Sequence, residues 1–85
     1  MARALSLQRT IVTPSERARF LDRARELRAH YQAAGCHFWV FEERDLTGAF
    51  IEFAEGPSAD RLAAAHAAVP EALLDPHRIY SEVEF

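Results

Sequence analysis

The chain predicts an α+β domain of order β-α-β-β-α-β, a four-stranded antiparallel sheet with two helices on one face. Three observations carry this. Alternating apolar and polar residues mark a strand near each end of the sequence. Two strand-like segments, His37–Glu43 and Ala49–Glu55, lie side by side around a glycine-containing turn. Two stretches with helical apolar spacing separate these from the terminal strands.

Leu5 to Val12 opens the pattern. Leu5, Leu7 and Ile11 fall on one side, with Arg9 interrupting them, and Ser6, Gln8, Thr10 and Val12 on the other. Thr13-Pro14-Ser15-Glu16 follows as a helix start, with Thr13 at the cap, Pro14 at the first helical position and Glu16 placed to close a capping box. Phe20, Leu21, Ala24, Leu27 and Tyr31 make one apolar stripe. Gly35 supplies the stop. The hairpin comes next, turning through Arg44-Asp45-Leu46-Thr47-Gly48. Gly56-Pro57-Ser58 ends it and starts the second helix with Ser58 as cap. That helix carries Leu62, Ala65 or His66, and Val69 inward. Pro70 ends or kinks it, and Glu71 to Leu74 can add one short turn. Ile79 to Phe85 alternates again as the last strand, with Ile79, Ser81, Val83 and Phe85 against Tyr80, Glu82 and Glu84. This is the ferredoxin-like plan: one domain over residues 5–85 behind a tail of residues 1–4.

The bulk numbers narrow the function. At 85 residues, a fold buries roughly 60% of the surface its unfolded chain exposes, so a lone protomer is marginal and association is a common remedy. The net charge of −3 argues against nucleic acid and anionic membrane as partners, since both favour a basic surface. No apolar run has bilayer-spanning length and no signal-peptide core precedes the first strand, so a cytoplasmic location is expected. Cys36 is the single cysteine, which excludes an intrachain disulfide. Lysine is absent, and with it Schiff-base and phosphate-loop chemistry; all ten Lys/Arg positions are arginine.

Pairing Arg44 with Ala49 sets Val40 opposite Phe53 and Glu42 opposite Ile51, and opposed residues share a face. Phe38, Val40, Ile51 and Phe53 then belong to the helix-covered core with Leu5, Leu7, Val83 and Phe85. The open face receives His37, Trp39, Phe41 and Glu43 with Phe50, Glu52 and Ala54. Gln8, Thr10, Tyr80, Glu82 and Glu84 join from the outer strands. Trp39, Phe41 and Phe50 together make an apolar patch of the kind that marks an interface or a ligand site. A homodimer through the open sheet face is the expectation.

The β-α-β-β-α-β order over residues 5–85, the aromatic strand Phe38-Trp39-Val40-Phe41-Glu42-Glu43 and the helix Ala63-Ala64-Ala65-His66-Ala67-Ala68 resemble the dimeric α/β-barrel superfamily. Its best-known branch is the antibiotic-biosynthesis-monooxygenase-like proteins. The resemblance implies sheet-to-sheet pairing and a small-molecule pocket between sheet and helices. It covers cofactor-free monooxygenases, haem-degrading enzymes, small isomerases, stress-response proteins and many uncharacterised proteins, so fold alone does not choose. The haem-degrading branch would use Trp39 and His66 together with an asparagine, and the chain contains no asparagine.

Two functions stay open: a small-molecule-binding or structural homodimer, and a cofactor-independent monooxygenase- or isomerase-type enzyme acting on an aromatic or apolar molecule. For the enzyme, His37 and Glu52 are the catalytic candidates, as proton acceptors near neutral pH. Trp39, Phe41, Phe50, Tyr80, Glu82 and His66 are the candidate ligand contacts. Each has a plainer reading: His37 a strand-end histidine, Glu52 half of an ion pair with an arginine such as Arg9, Trp39 and Tyr80 interface packing, and His66 a satisfied helix histidine. His30 and His77 read as surface residues. The four histidines form no ligand-spaced pair, so no metal and no cofactor is expected. Ser15 and Ser58 read as helix-start residues, and Cys36 as a small buried hydrophobe, with a thiol role left open. Arg17, Arg19, Arg23, Arg25 and Arg28 on the first helix read as a solvated, salt-bridged face or an anion-binding patch.

Overall fold

The computed structural model describes residues 2–69 and 78–85. Strand β1 runs Ala4–Ile11, helix α1 Arg17–Ala33, β2 His37–Glu42, β3 Ala49–Gly56, helix α2 Ala59–Ala67 and β4 Tyr80–Ser81. The four strands form one antiparallel sheet in the order β2-β3-β1-β4. Both helices pack on the same side, and β2 and β4 are the edges. This is the predicted ferredoxin-like arrangement. The last strand is shorter than Ile79–Phe85, with only Tyr80 and Ser81 in the ladder. The expected short turn at residues 71–74, Pro70 and His77 lie outside the described residues.

The helix ends follow local chemistry with one exception. Ser58 caps α2, its side chain accepting the Arg61 N–H at 3.2 Å. Gly35 closes α1 at φ 77°, a left-handed conformation that glycine adopts without strain. The expected capping box at Thr13 does not form. Pro14–Glu16 make one 3₁₀ turn before α1, the Thr13 hydroxyl lies 3.2 Å from Ser15 Oγ, and the Glu16 carboxylate pairs with Arg19. The turn has already consumed the geometry that a box would need.

The apolar stripes are as predicted. Phe20, Ala24, Leu27 and Tyr31 of α1 are buried, as are Leu62, Ala65, His66 and Val69 in and just after α2. They close over Ala4, Phe38 and Ala54 of the sheet, with Cys36 at the start of β2. Burial pushes the Cys36 thiol up, against a smaller downward pull from Arg61. The thiol is therefore held protonated, as expected of a small buried hydrophobe.

The sheet register departs from expectation by one residue. Val40 faces Glu52, Trp39 faces Phe53 and Phe41 faces Ile51. The turn is the cause. Glu43 N–H bonds to Ala49 O at 2.8 Å, closing five residues, 44–48, instead of the four that an Arg44–Ala49 pair would enclose. Gly48 sits at φ 91°, and a Cβ there would lie 2.4 Å from Val12 O. Its N–H donates to the Glu42 carboxylate at 2.9 Å, which also takes both ends of the Arg17 guanidinium at 2.8 and 2.9 Å. These bonds, Arg17 first, bring the Glu42 carboxyl down to about 2.

An odd shift moves every β3 side chain to the other face. Phe50, Glu52 and Ala54 turn under the helices, and Ile51 and Phe53 turn outward. β1 follows β3, since Leu7 pairs with Phe53 and Gln8 with Glu52. Leu5 and Leu7, expected in the core, therefore lie on the open face, and Val83 and Phe85 are exposed. Gln8 and Thr10, expected on the open face, lie beneath the helices. For β2 the prediction matches: Phe38 and Val40 face inward, Trp39 and Phe41 outward.

The resulting polarity is inverted for a two-layer domain. The open face carries rows of Leu5 with Tyr80, Leu7 with Phe53 and Trp39, and Ile51 with Phe41, with Ile11 beyond. Phe41 and Phe53 meet edge to face, ring centres 5.6 Å apart. Ion pairs Arg9–Glu43, Arg3–Glu55 and Arg3–Glu82 fringe this face. The covered side of β1 presents Ser6, Gln8 and Thr10 instead.

Candidate functional site

The covered side holds a seam of polar groups. Ser6 from β1 and Glu52 from β3 are 1% and 5% exposed, and His66 from α2 is buried between the sheet and Tyr31 of α1. Ser6 Oγ lies 2.9 Å from His66 Nε2, and Tyr31 Oη lies 2.5 Å from His66 Nδ1. A serine, a histidine and a tyrosine from three elements thus form one buried chain. Burial pushes the Tyr31 phenol up to about 12, with Cys36 and Glu52 adding to it. The proton stays on Tyr31 at neutral pH, which suits it to donate to Nδ1 and leaves Nε2–H for Ser6. His30 ties the helices together, its Nε2 2.8 Å from Ala65 O; it is half-buried, not the surface residue expected.

Glu52 meets Arg23 of α1 at 2.6 Å. The pairing expected for this carboxylate exists, but the partner is Arg23. Arg9, on the opposite face, takes Glu43. A carboxylate this buried requires such a partner, since an uncompensated charge in that position costs about 3–5 kcal/mol. The Arg23 guanidinium also lies over the Phe20 ring at 5.2 Å, and Arg17 over Phe50 at 5.3 Å. Phe20 and Phe50 pack at 4.6 Å between them. Two arginines of α1 therefore reach down to the sheet, while Arg19 and Arg25 pair along the helix with Glu16 and Asp22.

Arg23 is also a wall of a cavity of about 330 Å³ at this end of the seam. Ile11, Val12 and Phe20 give it apolar sides, and Thr10, Arg19 and Glu16 give it polar ones. The Thr10 hydroxyl is buried and makes no hydrogen bond among the described residues.

The sequence-derived candidates separate into three places. His37, Trp39 and Phe41 line a groove of about 660 Å³ along the free edge of β2, facing Arg25, Arg28 and Gln32 of α1. His37 and Trp39 stack there with ring centres 5.6 Å apart. Tyr80 and Glu82 border a cleft between β1 and β4, where Glu82 is engaged by Arg3 at 2.8 Å and its carboxyl is held below the usual range by that bond. Phe50, Glu52 and His66 lie under the helices. His37 and Glu52 are on opposite faces of the sheet, so the expected catalytic pair does not meet within a protomer. Phe50 is core packing, not part of an exposed aromatic patch. Sequence alone puts Tyr31 in the core stripe and Arg23 on an arginine-rich helix face without joining either to a site, and it gives Ser6 and Thr10 no functional role. The signal for Ser6 and Thr10 was the polar side of the β1 alternation, which reads as solvent-facing unless the register is known.

No group of three or more metal-ligating side chains occurs among the described residues. No helix among them is long and apolar enough to cross a membrane.

No protein-family model matches the sequence, and no curated protein matches it. Solved structures do match its shape. A conserved Bacteroides thetaiotaomicron protein of unknown function, described as a possible oxidoreductase, superposes with a TM-score of 0.71 at 20% identity, covering 95% of each chain. An antibiotic biosynthesis monooxygenase superposes at 0.66 with 14% identity, over 100% of this chain and 99% of the other. The Mycobacterium tuberculosis protein Rv0793 superposes at 0.58 with 17% identity, over 100% and 96%. The chain has a ferredoxin-like fold, the fold that these solved structures share with it.

Proposed function

We propose that the chain works as a homodimer that binds a small apolar or aromatic molecule inside each protomer, with the open sheet faces pairing. The inverted polarity of the sheet carries this reading. An apolar face of Leu5, Leu7, Ile11, Trp39, Phe41, Ile51, Phe53 and Tyr80 is larger than ordinary scattered surface residues and suits a partner surface. An isologous pair covers it with a second copy of itself. The other side places Glu52, Arg23, Ser6, His66 and Tyr31 where a small domain would gain more from leucine. Polar groups retained at such a cost mark a site. The cavity beside Thr10 meets this seam at Arg23, and its 330 Å³ is the volume of a small-ligand pocket.

The test is a panel of aromatic compounds screened by ligand-detected NMR against the wild type and Val12→Phe. The larger side chain fills the cavity and leaves both the seam and the open face intact. Binding lost in Val12→Phe with the dimer retained supports the reading; binding equally strong in that variant places the ligand elsewhere and rejects it.

The Ser6–His66–Tyr31 chain favours a second reading, a cofactor-independent monooxygenase or isomerase. In it, His66 would take the proton that His37 and Glu52 were expected to take. His66→Gln should then abolish turnover of a bound hydroxylated aromatic, followed by oxygen uptake or product formation. Turnover unchanged in that variant removes the role.

A further inference from the structure

We infer that the cavity between β1 and α1 selects a flat ligand bearing an anionic oxygen, a carboxylate in the simplest case, held between the Arg23 guanidinium and the Thr10 hydroxyl. This rests on the reading that this cavity is the binding site.

Three features point to that class. Val12 and Phe20, with the exposed Ile11 at the mouth, give an open apolar groove of about 330 Å³, suited to a planar body. Arg23 presents a rigid fork of five N–H donors, of which one is committed to Glu52 at 2.6 Å. That carboxylate and the Phe20 ring beneath hold the guanidinium still, so little of its freedom remains to be lost when a ligand binds. The Thr10 hydroxyl is buried without a partner among the described residues. A buried donor in that state is destabilising until an acceptor arrives. Arg23 is already paired with Glu52, whereas Arg19 at the rim is almost wholly exposed and only loosely matched by Glu16 at 3.4 Å, so its charge remains available to a ligand. A neutral acceptor would bond both Thr10 and Arg23, but only an anion adds the attraction between two opposite charges and the bidentate fork geometry.

Matched probes test the class: 2-naphthoate and its neutral isostere 2-naphthamide, titrated into the intact dimer. The acid should bind at least ~10-fold more tightly, the discrimination expected of a charge-assisted bond. Thr10→Val should weaken naphthoate several-fold while leaving the melting temperature unchanged or higher, because it deletes an unpartnered hydroxyl. A merely structural threonine would not produce that opposition. Arg23→Met alone strands Glu52 and threatens the fold, so the second variant is the pair Arg23→Met with Glu52→Gln, which removes both charges together. It should bind acid and amide equally. Equal binding of the two probes by the wild type, with both lost in Val12→Phe, overturns the ligand class and leaves the binding site standing. Failure of both probes to bind the wild type overturns both.

Discussion

Phe41→Asp is the sharpest perturbation of the proposed pairing, because it acts on a side chain that the protomer itself does not bury. Phe41 is 60% exposed on the open face, so of the roughly 200 Å² of a phenylalanine about 120 Å² is available to a partner. At about 25 cal/mol per Å² this is about 3 kcal/mol of apolar burial per side chain. Two-fold symmetry doubles it to about 6 kcal/mol, on the order of a 10⁴-fold loss of dimer affinity. The aspartate would add its own desolvation cost. Inside the protomer Phe41 touches chiefly Phe53 and its strand neighbours, so the fold should survive. Size-exclusion chromatography with light scattering, from micromolar to hundreds of micromolar, should show a dimer for the wild type and a monomer for the variant. Circular dichroism should report the same secondary structure for both. Melting should become independent of protein concentration in the variant. Glu26→Ala, exposed on α1 and away from the groove along β2, is the control and should leave the dimer unchanged. A Phe41→Asp protein that still dimerises with the wild-type constant refutes pairing through this face, as does a wild type that stays monomeric throughout that range.

Two further predictions follow from the interior. Tyr31 has a folded pKa of about 12 against 10 for a free phenol. The deprotonating unfolded chain therefore gains on the folded one as pH rises from about 10 to 12, and the stability held in the neutral phenol is fully present below pH 10 and lost across that window. The loss is about 2 kcal/mol, less where solvent screens the group. Urea midpoints should fall more steeply above pH 10 in the wild type than in Tyr31→Phe, which itself should cost about 1–3 kcal/mol at neutral pH by deleting the bond to His66 Nδ1; parallel pH profiles would refute the assignment. Gly48→Ala places a methyl group 2.4 Å from Val12 O at a positive φ, and should destabilise by about 2 kcal/mol or more, with faster amide exchange at Val12, whose N–H bonds Gly48 O at 2.7 Å. A change below about 0.5 kcal/mol would show that the turn has another route.

The element order and most helix boundaries are legible in the residues because each has a local cause. Ser58 caps α2, Gly35 ends α1, and the stripes Phe20–Tyr31 and Leu62–Val69 have one period and one reading. The two faces of β2 are equally clear. The faces of β1 and β3 are not, and the reason is a rule applied where it does not hold. Alternation shows which residues share a side, not which side meets the helices. Placing the more apolar side inward is sound for an isolated two-layer domain. In β1 it puts Leu5 and Leu7 in the core, and Ser6, Gln8 and Thr10 in water; the structure does the reverse. The turn could have corrected this, since five residues and four give opposite parity, but its length depends on Glu42 being held by Arg17 from a helix far away in sequence.

The point at which the local rule fails is also where the functional candidates lie. Rules of pattern describe a sequence whose parts all serve stability, and departures from them concentrate at sites. Turning Ser6, Thr10 and Glu52 inward removes apolar area from the core of a domain that has little to spare. Turning Leu5, Leu7, Ile51 and Phe53 outward leaves that area on the opposite face, where only a partner surface can bury it. The two halves of the inversion are therefore one arrangement. A protomer with a polar interior is short of core, and the proposed pairing through the open face would supply the missing burial from outside. The same registry explains why His37 and Glu52 cannot act together: one belongs to the face assigned to the partner, the other to the face assigned to the ligand. On the proposed reading, a chemical role belongs to the side of Glu52, with Arg23, His66 and Tyr31 around it, and the aromatic strand that dominates the sequence serves assembly.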